Sequence, residues 1–527
     1  MSKNVEMKLF IPCLVLLVAM LACVFFLPEQ TYNVITATTT WICDKLGWFF
    51  MALALVGFGF CFWLMFGKYG NVRLGEPDEK PQFADVPWIA MLFTAGVGSS
   101  IVVLGFFEPI SYLTSTPFDI EPFSKQAYEY AHMYGQFHWG LSAWALYVPA
   151  TVGIAYVIFN RRKASLRLSE VLEPILKHCK THLVHHIIDI LVIFGLGGAI
   201  VTSLGIATPV VAELFMYVFN IPADYYNIVM VCVVIVWVCI FGTSVFKGLD
   251  KGIKNLSNFN LILAGLFMLA VLLLGPTIQI FKMEVNSVGL FVTDFFRMST
   301  QADPFGDGAF ARDWTSFYWA FFLAYMPMMG LFVGRISRGR TIRNVVWGEI
   351  IWGFLGCALT FLILGGYALW IQDTGKADLV TVLADQGQGA AIVLIMQTFP
   401  FKRFFMIVLA LLLFIYLATT IDSSAYVLAG VTSKRVSAEE DPTRGNRLFW
   451  AIAFSAFAIG IMLIGGLNVI KSMSIISGPV LGIINILMMF SLKMIFDADI
   501  GDKGLKALKA RAEAAKAVEE AEAEANS

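Results

Sequence analysis

Twelve apolar runs, each about as long as a bilayer is thick, decide what this chain can fold into. They lie at 9–27, 48–67, 88–107, 131–159, 186–219, 226–246, 256–280, 314–334, 344–371, 403–430, 448–467 and 470–496. A helix rises ~1.5 Å per residue, so about twenty such residues cross a hydrocarbon core of ~30 Å. Within hydrocarbon each backbone polar group needs an internal partner, and runs of this length find one only as helices. A mean hydropathy of +0.75, with 58% hydrophobic and 14% charged residues, excludes a soluble domain of 527 residues. The fold class expected is an all-α integral membrane protein with about twelve transmembrane helices. The run Leu9–Leu27 is too long for a signal peptide and has no small-residue cleavage site before Pro28, so it is read as the first span.

The loops alternate in charge. One set carries Lys68, Arg73 and Lys80; Arg161, Arg162, Lys163 and Arg167; Lys247, Lys251 and Lys254; Arg335, Arg338, Arg340 and Arg343; and Lys434, Arg435, Arg444 and Arg447. The opposite set leans acidic, with Asp119, Glu121 and Glu129; Asp224; Glu284, Asp294, Asp303 and Asp307; and Asp373, Asp378 and Asp385. The positive-inside rule then predicts both termini in the cytoplasm of a multi-pass protein of the cell (inner) membrane. On the outer side, 285–300 and 379–399 are too short or too polar to span and are expected to lie at the interface. The tail from Asp499 begins basic and ends acidic, and reads as a solvated helix.

Composition also narrows function. A formal net charge of −1 argues against nucleic acid. Cys13, Cys23, Cys61, Cys232, Cys239 and Cys357 sit in apolar runs without metal-ligand spacing, so they are expected to be small buried hydrophobes. A membrane enzyme needs His, Cys or carboxylates clustered at one depth, yet the six histidines fall mostly in Lys177–His186. No enzyme and no cofactor is expected.

Polar chemistry interrupts the hydrocarbon in four places. In the third run, Gly96, Gly98, Ser99 and Ser100 invite a helix break whose freed carbonyls line a site; close packing by small residues is the other reading. The tenth run holds Thr419 and Ser423 one turn apart, and likewise Thr420 and Ser424, with Asp422 between. These oxygens suit a hard monovalent cation, or else the hydroxyls bond back to the i−4 carbonyl. In the fourth run, Trp144 and Tyr147 share a face and Trp139 lies roughly 140° round from Trp144. In the eighth run, Tyr318, Phe322, Tyr325 and Met329 form a ladder at i, i+4, i+7 and i+11. Such rings either face lipid and pack, or cage a cationic head group, which aromatic faces attract by ~2 kcal/mol or more when desolvated.

The strings FHWGLSAWALY, DWTSFYW and above all GRISRGRTIR resemble the betaine/choline/carnitine transporter family over essentially the whole hydrophobic chain. The resemblance implies a LeuT-like inverted repeat of spans 3–7 and 8–12, a homotrimer, and transport of methylated onium compounds. The matching organisation is 1–87 with spans 1 and 2, 88–280 as the first repeat, 281–313 as an external helix and loop, 314–498 as the second repeat, and 499–527 as a cytoplasmic tail. Family members hold the onium in a box of aromatics. By motif that box falls here on Trp139, Trp144 and Tyr147, and on Trp319, Phe321, Phe322 and Tyr325, beside Gly96, Gly98, Ser99 and Ser100.

This sequence departs from the family where the ligand is held. The usual YWAWW is here Tyr318-Trp319-Ala320-Phe321-Phe322, so phenylalanines replace two box tryptophans. Two hydroxyls, Ser99 and Ser100, follow Gly98 where a small apolar pair is usual. The resemblance divides on coupling. The sodium-coupled members imply sodium ligands at Thr94, Val97, Tyr416, Thr419 and Thr420, with Asp422 in the same motif. The sodium-independent exchangers carry an arginine where Asn260 stands here, yet Met329 and the segment Ser203–Pro209 look closer to them. Sodium symport is the expectation. The alternatives are exchange of the carnitine type, or a related non-quaternary substrate such as a sulfonate.

Overall fold

The computed structural model describes residues 4–177, 183–247, 250–306, 308–434 and 441–501. Arg435, Asp307, most of the 499–527 tail and the side chains of Lys247, Lys251 and Lys254 therefore lie outside the described residues. Among the described residues the chain is helical throughout, with two isolated β-bridges as its only extended pairing. The helices are α1 (Met7–Phe26), α2 (Pro28–Phe66), α3 (Asp85–Ala95), α4 (Ser99–Ser111), α5 (Lys125–His138), α6 (Leu141–Ala145) and α7 (Val148–Phe159). Two single turns follow, α8 (Leu168–Val171) and α9 (Glu173–Leu176), then α10 (Leu183–Phe219), α11 (Tyr226–Lys247), α12 (Asp250–Leu274) and α13 (Thr277–Ser299). The rest are α14 (Ser316–Ile336), α15 (Ile342–Thr360), α16 (Gly366–Asp373), α17 (Leu379–Gln386), α18 (Gln388–Gln397), α19 (Lys402–Val431), α20 (Arg444–Ile464) and α21 (Leu467–Asp499).

Ten stretches are long and apolar enough to cross a membrane, and two bent pairs bring the number to twelve. Each matches one of the twelve apolar runs. The helices differ from the runs chiefly at their breaks. Helix α2 has 39 residues and starts at Pro28, well before the apolar run at 48. Proline at a first helical turn is preset for helix, and no breaker follows it for almost twenty residues. The third run bends by 54° between α3 and α4, where Gly96 ends one helix and extended Gly98 starts the next. The fourth run is cut into α5, α6 and α7 at Trp139–Gly140 and at Leu146–Tyr147. Helix α13 turns 105° from α12 and begins at Thr277, earlier than the interfacial segment expected from 285.

The packing puts α14 at the centre. Every side chain from Ser316 to Pro327 is buried, and the helix packs against α7, α10 and α21. That excludes the lipid-facing reading of its aromatics. The cysteines need a correction. Cys13, Cys43, Cys61 and Cys357 are buried, but Cys23, Cys232 and Cys239 are exposed. They sit on outward faces of helices whose lipid-contacting surface accepts a small thiol as readily as a methyl group.

Candidate functional site

The two breaks in the fourth run aim its rings at α14. Trp139 caps α5 and Tyr147 precedes α7, so both sit at the helix breaks. Trp139 lies 5.5 Å from Phe322 and 6.1 Å from Phe321, ring centre to ring centre, both edge-on. Tyr147 stacks on Phe322 at 5.2 Å and meets Trp144 edge-on at 5.6 Å. Phe321 in turn meets Tyr325 at 5.1 Å. Six of the seven rings expected at the site thus form one connected cluster. Phe361, from the π-helical turn after α15, adds a wall 6.4 Å from Trp139. Trp144 is seated on Gly353 of α15, where any Cβ would lie 2.4 Å from the indole ring.

Hydroxyls tie this cluster to the broken helix. Ser100 and Ser203 of α10 are 2.9 Å apart, and Ser203 is 2.6 Å from the Tyr325 hydroxyl. The break exposes the Gly96 carbonyl, which accepts a hydrogen bond from the Cys357 thiol at 3.2 Å. Ser99 is buried beside Gly98. Rings with negative faces, a hydroxyl relay and unwound backbone are together suited to a small cation with a polar end.

The sequence matches the family described as BCCT, betaine/carnitine/choline family transporter, over residues 8–500. The chain belongs to the BCCT family. Among curated BCCT-like proteins it is 33% identical to a glycine betaine transporter, OpuD, of Bacillus subtilis (strain 168), over 88% of this chain and 89% of that protein. It is 31% identical to a carnitine transporter of Acinetobacter baumannii (strain ATCC 19606), over 78% and 74% of the two chains. An uncharacterised transporter, YeaV, of Escherichia coli (strain K12) is 32% identical over 78% and 85%. This BCCT chain is therefore a multi-pass membrane transporter.

The other residues expected at the BCCT site fall elsewhere. Trp319 is fully buried against Phe137 at 5.6 Å and His138 at 6.2 Å, turned from the ring cluster. The hydroxyls of Thr419 and Thr420 both donate to the Tyr416 carbonyl at 2.9 Å, and Thr94 donates to Met91 at 3.1 Å. These are local back-bonds, though each oxygen keeps lone pairs for a cation. Val97 is buried at the break, and the Tyr416 hydroxyl is buried. Asn260 joins two helices by donating to the Leu412 carbonyl of α19 at 3.2 Å. Asp422 pairs with Arg447 of α20 at 2.5 Å, a structural link between spans. Met329 is buried on α14, a turn beyond Tyr325.

Sequence reasoning missed a buried ionisable group beside the rings. Glu108 of α4 is fully enclosed and accepts from Tyr318 at 2.5 Å and from Tyr112. His138 lies 2.7 Å from the Tyr112 hydroxyl and 3.1 Å from Thr315. Tyr318, first rung of the aromatic ladder, is thereby bound to Glu108. A glutamate directly following the apolar run 88–107 was the available signal. The arginine run, counted among the basic loops, is bound to protein groups. Arg338 reaches Glu79 at 2.6 Å and Arg343 the Met65 carbonyl at 2.8 Å. Arg340 reaches Asp85 at 2.8 Å and covers the Trp88 ring at 4.0 Å, while Arg335 bonds Tyr426.

Proposed function

We propose that this BCCT transporter takes up a methylated onium zwitterion or cation of the betaine, choline or carnitine type, coupled to sodium symport, by alternating access. The observation that carries the reading is the convergence of Trp139, Trp144 and Tyr147 with Phe321, Phe322 and Tyr325 beside the break at Gly96–Gly98. Phenylalanine faces are weaker cation partners than indoles and leave more room, which favours a bulkier or less strongly held head group. The relay Ser100–Ser203–Tyr325 supplies hydroxyls for an uncharged polar group of the substrate beside the rings. Sodium would draw on Thr94 and Val97 of α3 and its break, and on Tyr416, Thr419 and Thr420 of α19. The neutral amide at Asn260 supports sodium over a fixed positive charge.

The same reading includes an inverted repeat of spans 3–7 and 8–12, a homotrimer, and residence in the inner membrane with cytoplasmic termini. Exchange without sodium is the second reading, favoured by Ser203, which lies in the exchanger-like segment and bonds Tyr325. The test is uptake into proteoliposomes under an inward sodium gradient, with betaine, choline, carnitine, sulfonates and amino acids as competitors. Onium uptake that vanishes without sodium is expected. Counterflow unchanged by sodium removal replaces symport with exchange, and a panel in which no onium competes sinks the cage.

A further inference from the structure

At the end of α14 opposite the arginines stands a buried lysine that none of the expected roles uses. Lys471 of α21 is 6% exposed, and no carboxylate lies within 4.0 Å of its ammonium among the described residues. Two carboxyl groups, Glu108 and Asp313, lie near enough to interact with it through space. Both are engaged by other groups. Glu108 takes the hydroxyls of Tyr112 and Tyr318 and has His138 at 3.5 Å. Asp313 takes Arg312 at 3.1 Å. The ammonium rests on aromatic faces instead, 3.4 Å from the centre of the Trp314 ring and 4.9 Å from that of Phe317.

Those two rings lead to the cage. Phe317 stacks on Phe321 at 5.5 Å, and Phe321 meets both Trp139 and Tyr325. A ladder of rings thus runs from an ammonium at one end to the onium cage at the other. Desolvating an ammonium costs several kcal/mol unless an opposite charge returns it, and in a membrane such a group marks a functional position. A short zwitterion aligned on the ladder places its onium on the inner rings and its anion toward Lys471.

We propose that Lys471 docks the carboxylate of a zwitterionic onium substrate, with Trp314 and Phe317 holding the ammonium ready until the anion arrives. The inference rests on the aromatic cage, and the experiment separates the two. Glycine betaine and choline share a trimethylammonium group, but only betaine carries a carboxylate. Competition by each against the transported onium is measured for the wild type and for Lys471→Gln, Lys471→Arg and Phe322→Ala, each reconstituted as full chain. Lys471→Gln should weaken betaine about tenfold or more while leaving choline within about twofold, because a charged contact to a desolvated carboxylate is lost. Lys471→Arg should restore most of the betaine affinity. Phe322→Ala should weaken both compounds. If Lys471→Gln weakens both alike, or neither, while Phe322→Ala still acts, the docking role is overturned and the cage stands. If Phe322→Ala changes neither compound, the cage fails and the docking role with it.

Discussion

The two ends of α14 use charge in opposite ways. At the arginine end, Arg335, Arg338, Arg340 and Arg343 are all engaged by protein groups, and the backbone is stitched as well. Leu74 donates to the Arg340 carbonyl at 2.8 Å, Gly339 to Leu74 at 2.7 Å, and Ile342 to Val72 at 2.8 Å. Charge there is consumed in fixing one loop on another. At the Trp314 end, Glu108, His138 and Lys471 are buried among aromatic rings, with Lys471 held by faces rather than by an anion. The string that identifies the family therefore describes scaffold. The chemistry that meets a ligand lies at the middle and the far end of the same helix.

The largest effect that tests this contrast is at Gly339. Its φ is +81°, and a Cβ would stand 2.3 Å from the Lys80 carbonyl oxygen, which is backbone and cannot swing aside. Gly339→Ala is expected to cost about 3 kcal/mol or more through strain and displacement of the loop. The readout is a lower thermal midpoint in detergent and a poor yield of folded protein. Wild-type melting would mean that the arginine loop is not the clamp described. A smaller effect, on binding rather than folding, distinguishes two neighbouring rings. Phe322→Ala should weaken onium binding about tenfold. Trp319→Ala, which removes a ring packed on Phe137 and His138, should lower the melting midpoint and leave affinity within about twofold. Equal losses of affinity would return Trp319 to the site.

The fold was largely legible because its signal is length and hydropathy, which need no knowledge of neighbours. All twelve runs became helices or bent pairs. What escaped was local. The helical start at Pro28 was hidden because Glu29–Lys45 is polar yet has no breaker, and hydropathy does not report helix outside lipid. The cuts at Gly140 and Tyr147 were hidden because FHWGLSAWALY, with only His138 and Ser142 polar, is hydrophobic enough to read as part of one span. At the site, the rings were legible from residue type and spacing, and Trp319 was not, since its direction depends on where α5 ends. Asp422 stood in the sequence beside the tenth-run hydroxyls, and its pairing with Arg447 on α20 is visible only in the structure. Glu108 and Lys471 stood in plain view as charges in or beside apolar runs, but their convergence on the Trp314 end of α14, from α4 and α21, is a tertiary fact.

The smallest effect concerns the hydroxyl relay, which joins the broken helix to the middle of α14. Ser100, Ser203 and Tyr325 have three O–H groups and make two mutual bonds, at 2.9 Å and 2.6 Å. One hydroxyl proton is therefore left over, at Ser100 or Tyr325 when the bonds run one way along the chain, or at Ser203 when both neighbours donate to it. Ser100→Ala removes the first bond but leaves Ser203 free to serve Tyr325. A neutral hydrogen bond is worth ~1 kcal/mol net, so the expected loss is about fivefold in substrate affinity, with melting nearly unchanged. Ser203→Ala breaks both bonds and should exceed it. Titrating binding in each variant reads the difference. If Ser100→Ala and Ser203→Ala weaken substrate equally, the surplus proton points outward from Ser100, toward the break at Gly96–Gly98. If only Ser203→Ala acts, it points from Tyr325 into the ring cluster, and the broken helix contributes packing rather than recognition.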